Sequence, residues 1–220
     1  MKKKWLIMAL IGVLSGGVSY FHRFFFSIDQ VEVRGASYIN NQLLGSLVDR
    51  SQSLFSLDKK ELVNRLKKID YIEDAHVSLR LMNTLVVEIE EKKLVADIFF
   101  NGEMYFLSAK GEIIRGKSYV SVKEIPRINL KKKEQTDYLI SVARNLALMG
   151  FHDKIFFQKI KEISFDDSLE ANIFILCDSN KYILKPDFTL EDLIKVRFIH
   201  SKSLGFKVFD LRGNYIVVNS

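Results

Sequence analysis

The feature that most constrains this chain is a run of seventeen uncharged residues, from Trp5 to Phe21. Three lysines precede the run, and His22 and Arg23 follow it. At ~1.5 Å of rise per residue, a helix of this length covers about 25 Å of a bilayer core that is ~30 Å thick. The sequence therefore predicts a single transmembrane helix, with residues 5–26 as the membrane anchor.

The charges beside this segment predict its orientation. The lysine-rich residues 1–4 form a short cytoplasmic tail, because positively charged flanks stay inside. Arg23 and the phenylalanines at 24–26 suit the opposite interface. The side chains expected in the anchor are Trp5, Leu6, Ile7, Leu10, Ile11, Val13, Leu14, Val18, Tyr20 and Phe21. We therefore expect a single-pass type II protein of the cytoplasmic (inner) membrane, with most of the chain outside the cytoplasm.

This segment has three alternative interpretations. A cleaved signal peptide is one alternative, because residues 13–16 offer small side chains after a short apolar run. The apolar run that continues to Phe21 favours retention. A lipoprotein anchor is disfavoured because the only cysteine, Cys177, is far from the run. A buried core helix is disfavoured by the terminal position and the lysine head.

Charge argues against a nucleic-acid partner. The chain has 33 basic and 27 acidic residues, a net charge of +6. Without the four basic residues that flank the anchor, 29 basic residues remain against 27 acidic ones, which is +2. The high isoelectric point is thus mostly a property of the membrane flank. A hydrophobic content of 48% predicts a globular exported part.

In residues 27–93, the spacing of apolar residues changes from the period of a helix to the period of a strand, which is typical of one small α+β domain. A strand at 31–34 precedes a helix that begins near Asn40 or Asn41 and a second helix capped by Asp58. Alternating apolar and polar residues then predict two more strands, at 75–81 and 85–90. The order βααββ suits a sheet with both helices on one face.

Residues 94–220 are richer in strand patterns. Apolar alternation and turn residues predict a strand-rich α+β domain with a mostly antiparallel sheet. Two helices are expected within it, one capped by Thr136 and stopped at Gly150, the other starting at Thr189. The predicted strands lie at 99–107, 112–115, 155–165, 169–177, 181–184, 206–211 and 215–218.

Little in the sequence points to catalysis. The four histidines are scattered without metal-ligand spacing, and no phosphate loop or nucleophile elbow occurs. Cys177 lies in an apolar run, where a small buried side chain is expected. The lysines at 131–133 are interpreted as a solvated loop, with weak membrane-surface contact as the alternative. We therefore predict no catalytic residue, metal, cofactor or small-molecule substrate.

Several segments resemble known sequence patterns of a POTRA domain. Residues 29–35 resemble its opening strand, 53–58 its inter-helix segment, 72–77 its strand-opening signature and 80–96 its closing hairpin. In the second domain, residues 111–114, 125–126 and 209–212 are similar to stretches of the FtsQ/DivIB cell-division proteins. Together with the anchor, the resemblance covers nearly the whole chain. Asp70 and Met82 depart from it, since proline often stands there.

The resemblance implies a non-enzymatic assembly protein concentrated at the division septum. Its expected partners are other single-pass division proteins of the FtsB and FtsL type. The apolar last strand suggests a contact edge, with one side packed on the core and the other open to a partner. The alternative is that this strand only completes its own sheet. The candidate contact residues are Phe209, Arg212, Tyr215, Ile216, Val217 and Val218. The alternatives are a POTRA-containing scaffold in outer-membrane protein export and a membrane-tethered cell-wall enzyme.

Overall fold

The computed structural model describes residues 27–49, 57–80, 83–118, 120–122, 124–166, 172–203, 205–213 and 216–219. These residues fall into two compact units that divide between Glu91 and Lys92. The segment assigned to the membrane anchor lies outside the described residues. Among the residues that are described, no helix has the length and apolar character needed to cross a membrane.

The first unit is a three-stranded mixed sheet with two helices. Strand β3 is central, with β1 parallel to it on one side and β2 antiparallel on the other. The order along the chain is the predicted βααββ. The elements are β1 (Gln30–Arg34), α1 (Asn41–Ser46), α2 (Lys59–Lys67), β2 (Ile72–Arg80) and β3 (Thr84–Glu91).

Both helices begin at side chains that the sequence predicts as N-terminal caps. The Asn40 side chain accepts a hydrogen bond from the backbone N–H of Gln42 at 2.7 Å. Asp58 accepts from the backbone N–H groups of Lys60 and Glu61 at 2.9 and 3.0 Å. Such caps satisfy donors that the first helical turn leaves unpaired. The predicted helix starts are confirmed.

A carboxylate fixes the loop between β1 and α1. Glu91, at the end of β3, accepts hydrogen bonds from the backbone N–H groups of residues 37–39 at 2.7 to 3.0 Å. Gly35 opens this loop at φ +81°, and a Cβ there would lie 2.1 Å from the carbonyl oxygen of Ile89. Only glycine fits that close approach. Gly35 and Glu91 together therefore fix the conformation of the loop.

The second unit is built on a nine-stranded sheet with the order β12-β11-β10-β9-β8-β7-β4-β5-β6. Three neighbouring pairs are parallel (β10 with β11, β8 with β7, β7 with β4) and the other five are antiparallel. The sheet is therefore mixed, and most of its neighbouring pairs are antiparallel, as the sequence predicted. The strands are β4 (Leu94–Phe100), β5 (Glu103–Ser108), β6 (Ile113–Arg115), β7 (Arg127–Asn129), β8 (Ile160–Phe165), β9 (Ile173–Cys177), β10 (Asn180–Leu184), β11 (Val208–Asp210) and β12 (Val217–Asn219).

Helices cover one face of this sheet. They are a 3₁₀ helix (Lys133–Tyr138), α3 (Leu139–His152), α4 (Lys154–Phe157) and α5 (Leu190–Lys202). The strands present one aligned row of residues to α3 and α5, and the row forms the core with apolar side chains of both helices. Its members are Ile98, Ile128, Ile163, Ile175, Tyr182 and Phe209.

One predicted strand is two strands. The run assigned to 99–107 is interrupted by a tight turn at Asn101 and Gly102, whose φ angles are 51° and 79°. Asparagine followed by glycine tolerates two consecutive positive φ values, which is what a two-residue hairpin requires. The apolar residues on both sides of the turn concealed it in the sequence pattern.

Three further boundaries differ from the predictions. Thr136 does not cap α3, because a 3₁₀ helix precedes it and the Gln135 side chain accepts the backbone N–H groups of Lys131 and Lys132 instead. Helix α3 also continues past Gly150 to His152. The predicted strand at 155–165 begins as helix α4, because Asp153 caps it through the backbone N–H of Phe156 at 2.9 Å.

Candidate partner-binding edge

The last strand occupies one end of the nine-stranded sheet. β12 pairs antiparallel with β11, and within the described residues no strand pairs with its outer side. This position agrees with the expectation of a strand at a sheet edge. A strand in this position offers backbone N–H and C=O groups that a further strand can pair with.

The apolar side chains of this strand are unusually open. Ile216, Val217 and Val218 are 54%, 53% and 50% exposed. The expectation that one side of the strand packs on the core is not met, since Val217 and Val218 point to opposite faces and are equally open. Their position at the end of the sheet gives them only one neighbouring strand. Tyr215, another candidate contact, lies outside the described residues.

Phe209 is a buried residue of β11, the strand that pairs with β12. It is 5% exposed and lies opposite Val218 in the pairing of β11 with β12. Its ring stacks on Tyr182 of β10, with centroids 5.1 Å apart and planes 9° apart. Offset stacking of buried rings adds to the area that they remove from water. Phe209 therefore holds β11 on the core, while the neighbouring β12 stays exposed.

Arg212 is held in a fixed orientation next to this edge. Its guanidinium donates to both carboxylate oxygens of Asp210, with the Nε and Nη2 atoms at 3.0 and 2.7 Å. The backbone N–H of Arg212 also donates to Asp210 at 3.1 Å. These hydrogen bonds lower the pKa of Asp210 below its usual value, the side-chain bond from Arg212 being the largest cause. The two charges of this pair offset each other beside an apolar strand.

Asn180 positions the edge, and no pattern in the sequence indicates this role. Its side chain is buried, and its Nδ2 donates to the Ser203 hydroxyl at 2.7 Å while its Oδ1 accepts the Lys207 N–H at 3.0 Å. One amide thus ties the end of α5 and the chain entering β11 to β10. The two partners are 23 and 27 positions away in the sequence, so no local pattern signals the contact.

Two side chains of types that take part in catalysis, Tyr182 and Cys177, are buried in this unit. The Tyr182 hydroxyl lies 3.2 Å from His200 Nδ1, and His200 Nε2 lies 3.2 Å from Asp178. Tyr182 is fully buried, and burial raises its pKa. Burial likewise raises the pKa of the Cys177 thiol to about 12, so a thiolate does not form near neutral pH. In the part of the chain that the structure describes, no group of three or more His, Cys, Asp or Glu could hold a metal ion.

The first unit offers a smaller candidate surface. Strand β1 lies at one edge of its sheet, and an open groove runs beside it against α1. Val31 and Val33 line the strand side of this groove, and Gln42 and Ser46 line the helix side. The groove is thus apolar on its strand side and polar on its helix side.

A family model matches the first unit. The POTRA domain of the FtsQ type matches residues 26–92. The match covers both helices and all three strands of that unit.

Curated relatives match about half of the chain. Cell division protein DivIB of Staphylococcus aureus (strain NCTC 8325 / PS 47) is 25% identical over 117 residues, which cover 51% of this chain and 26% of that protein. Cell division protein FtsQ of Zymomonas mobilis subsp. mobilis is 29% identical over 128 residues, 51% of this chain and 40% of that protein. The chain therefore spans less than half the length of these relatives.

A solved structure is also similar. It is the major extracytoplasmic domain of the cell division protein DivIB from Geobacillus stearothermophilus, with a TM-score of 0.40 and 13% sequence identity. The match covers 53% of this chain and 99% of the solved chain.

Proposed function

We propose that the chain, which has a POTRA domain of the FtsQ type and is similar to FtsQ and DivIB cell-division proteins, is a non-enzymatic assembly protein of the bacterial division machinery. An N-terminal helix anchors it in the cytoplasmic membrane. Its two units act outside the cytoplasm at the septum, where they link other single-pass division proteins of the FtsB and FtsL type.

The single observation that carries this proposal is the uncovered apolar edge at β12. An extended segment of a partner can add to such an edge, with backbone hydrogen bonds providing affinity and side chains providing specificity. Ile216, Val217 and Val218 are half exposed, so an added strand removes apolar surface from water on both faces. Burial of such surface contributes roughly 25 cal/mol per Å² before the costs of association.

The remaining candidate residues have distinct roles in this proposal. Arg212 supplies hydrogen-bond donors for an acidic group of the partner. Phe209 keeps β11 in place and contacts the partner only through the strand that it supports. Tyr215 lies next to Ile216 in the sequence and is a further candidate contact for the partner.

Truncation of the full-length chain tests the proposal. A stop after Gly213 removes the segment that contains β12, and we expect it to abolish capture of the partner from solubilised membranes. Ile113→Asp is the matched control, because Ile113 is 47% exposed and lies in β6 at the other end of the same sheet. Full capture by the truncated chain would overturn the strand-addition proposal.

The cellular role has its own test. Depletion of the protein should produce filaments with unfinished septa, since assembly of the division machinery fails. Normal division after depletion would contradict the division role even if a binding partner were found. Complementation with the variant truncated after Gly213 then shows whether the β12 edge is the part that division needs.

The anchor can be examined separately. The protein should resist extraction from membranes at alkaline pH, and protease added outside the cytoplasmic membrane should digest the region after residue 26. Tethering matters for affinity because it raises the effective concentration of neighbouring single-pass proteins. A chain released by alkaline treatment would contradict the proposed anchor.

A further inference from the structure

Several large apolar side chains on the helices of the second unit are mostly exposed to solvent. Phe151 at the end of α3 is 81% exposed, Ile155 in α4 is 74% exposed and Phe198 in α5 is 66% exposed. Ile194, one turn before Phe198, is 44% exposed. We call these four side chains the helical patch. Single exposed apolar residues need no explanation, whereas a cluster of this kind marks an interaction site.

Contacts between the helices place these side chains on one surface. Asp153 lies two residues from both Phe151 and Ile155, and its carboxylate is 2.8 Å from Arg197 Nε, beside Phe198 in the chain. The rings of Phe156 in α4 and His200 in α5 also approach to 6.0 Å between centroids. The patch therefore crosses the junction of α3, α4 and α5.

The two segments that carry the patch contain more basic than acidic residues. Residues 151–161 contain three lysines and one aspartate, and residues 190–202 contain three basic and two acidic residues. The two segments together contain six basic and three acidic residues, so their net charge is +3. Lys154, Lys195 and Lys202 are exposed beside the apolar side chains. Part of the charge is paired, since Lys195 lies 3.1 Å from Asp192, but exposed pairs of this kind contribute little and can exchange partners.

We propose that the helical patch docks on an anionic membrane surface. Exposed aromatic and aliphatic side chains enter the headgroup region, and the lysines of these two segments contact lipid phosphates, which is how basic amphipathic surfaces bind bilayers. Long lysine side chains reach the headgroups while their stems cover apolar surface. This contact is additional to the strand edge, and it orients the second unit at the membrane.

The shape and composition of the patch favour a lipid surface over a protein groove. Its most open side chains protrude into solvent, so a rigid partner would need matching pockets for each of them. Lysine is depleted at the centre of protein interfaces and common at membrane interfaces. A fluid bilayer accommodates protruding rings without preformed pockets.

The test uses the full chain in vesicles with a single fluorescent reporter. The only native tryptophan, Trp5, is changed to phenylalanine, and Phe198→Trp then reports on the patch. Phe99→Trp is the matched control, because Phe99 is 52% exposed on β4 and lies outside the helical patch. Brominated lipids quench tryptophan that contacts the acyl-chain region. Vesicles of phosphatidylglycerol with phosphatidylcholine are compared with vesicles of phosphatidylcholine alone.

We expect quenching at position 198 to be several-fold stronger than at position 99 in the anionic vesicles. It should fall to the control level in neutral vesicles and in a variant with Lys154→Gln, Lys195→Gln and Lys202→Gln. Equal quenching at both positions would overturn the proposal. A blue shift at 198 that grows with protein concentration, without quenching, would also overturn it and would assign the patch to a second copy of the chain. Unchanged far-UV dichroism verifies the fold of each variant.

Discussion

The two ends of the nine-stranded sheet differ in how they meet solvent. At one end, β6 is flanked by charged residues, with Arg115 paired to Glu103 and Glu112 paired to Lys92 at 2.8 Å. At the other end, no side chain from residue 213 to residue 220 carries a charge. Both ends expose apolar groups, since Ile113 of β6 is 47% exposed and Val217 of β12 is 53% exposed.

Charge, rather than apolar exposure, therefore distinguishes the two edges. Natural proteins place charged side chains on strands at sheet edges, because an uncharged edge pairs readily with other chains. β6 has that protection and β12 lacks it. A sheet that protects one end and leaves the other open has a preferred place for an added strand. The following predictions test that difference, from the largest expected effect to the smallest.

The largest effect is expected from removing the ring that supports β11. Phe209→Ala should lower the free energy of unfolding of the second unit by about 3–5 kcal/mol, because it removes a buried aromatic side chain and its stacking on Tyr182. Ile114→Ala in β6 should also destabilise the unit, by about 2–5 kcal/mol. Urea denaturation measures both changes. Only Phe209→Ala should also weaken partner capture by the folded fraction. Equal capture by the two variants would contradict the claim that the partner binds at the β12 edge rather than at the β6 edge.

The second-largest effect is expected from removing the buried side-chain amide of Asn180. Asn180→Ala leaves the Lys207 N–H without its acceptor and should cost about 1–3 kcal/mol. Ser203→Ala, the matched control, keeps the Lys207 hydrogen bond and should cost less. Amide exchange at Lys207 should quicken in Asn180→Ala and stay slow in Ser203→Ala. If both variants exchange equally, Asn180 does not position the entry to β11.

Charge placed on the open edge should affect binding more than folding. Val218→Lys should weaken capture of the partner at least tenfold, about 1.4 kcal/mol, because a lysine there has to be desolvated by an added strand. Ile113→Lys at the protected edge should leave the affinity unchanged. Both residues are half exposed, so stability should change by less than about 0.5 kcal/mol. Titration with the captured partner measures the affinities, and similar losses in the two variants would refute the distinction.

The smallest effect concerns acid stability. Arg212 lowers the pKa of Asp210 in the folded state, so the pair stabilises the fold above the ordinary aspartate pKa of about 3.9 and loses this effect as the pH falls through the lowered value. Arg212→Gln should therefore reduce the loss of stability on acidification, by less than about 1 kcal/mol because the pair is partly exposed. At the other edge, the lowered pKa of Glu103 has a hydrogen bond from Tyr105 as its largest cause. Arg115→Gln should thus change the acid profile less, and a larger change would contradict this assignment.

Local signals in the sequence predicted much of the fold. Caps at Asn40, Asp58 and Thr189 marked helix starts, and Thr189 and Asp192 form the expected reciprocal pair with a 2.9 Å hydrogen bond. Burial of Cys177 in β9 was also predicted. These features depend on neighbours a few positions away, which is why a single sequence reveals them.

One local signal was missed, because the turn at Asn101 and Gly102 interrupts a run of apolar residues. Features that depend on distant residues were missed as well, since the parallel pairing of β7 with β4 and β8 joins segments far apart in the sequence. At the candidate site, the apolar last strand could be identified from its composition. The burial of Phe209 and the clamp formed by Asn180 could not, because both arise from contacts across the sheet.

Amide hydrogen exchange on the complex of the full chain with its captured partner tests the central claim most directly. Addition of a strand places new backbone hydrogen bonds on β12, so alternate amides among residues 216–219 should exchange much more slowly in the complex than in the free chain. The amides of Ile113–Arg115 in β6 should exchange at the same rate in both. Protection of β6 with none at β12, or no change at either edge, would contradict the account.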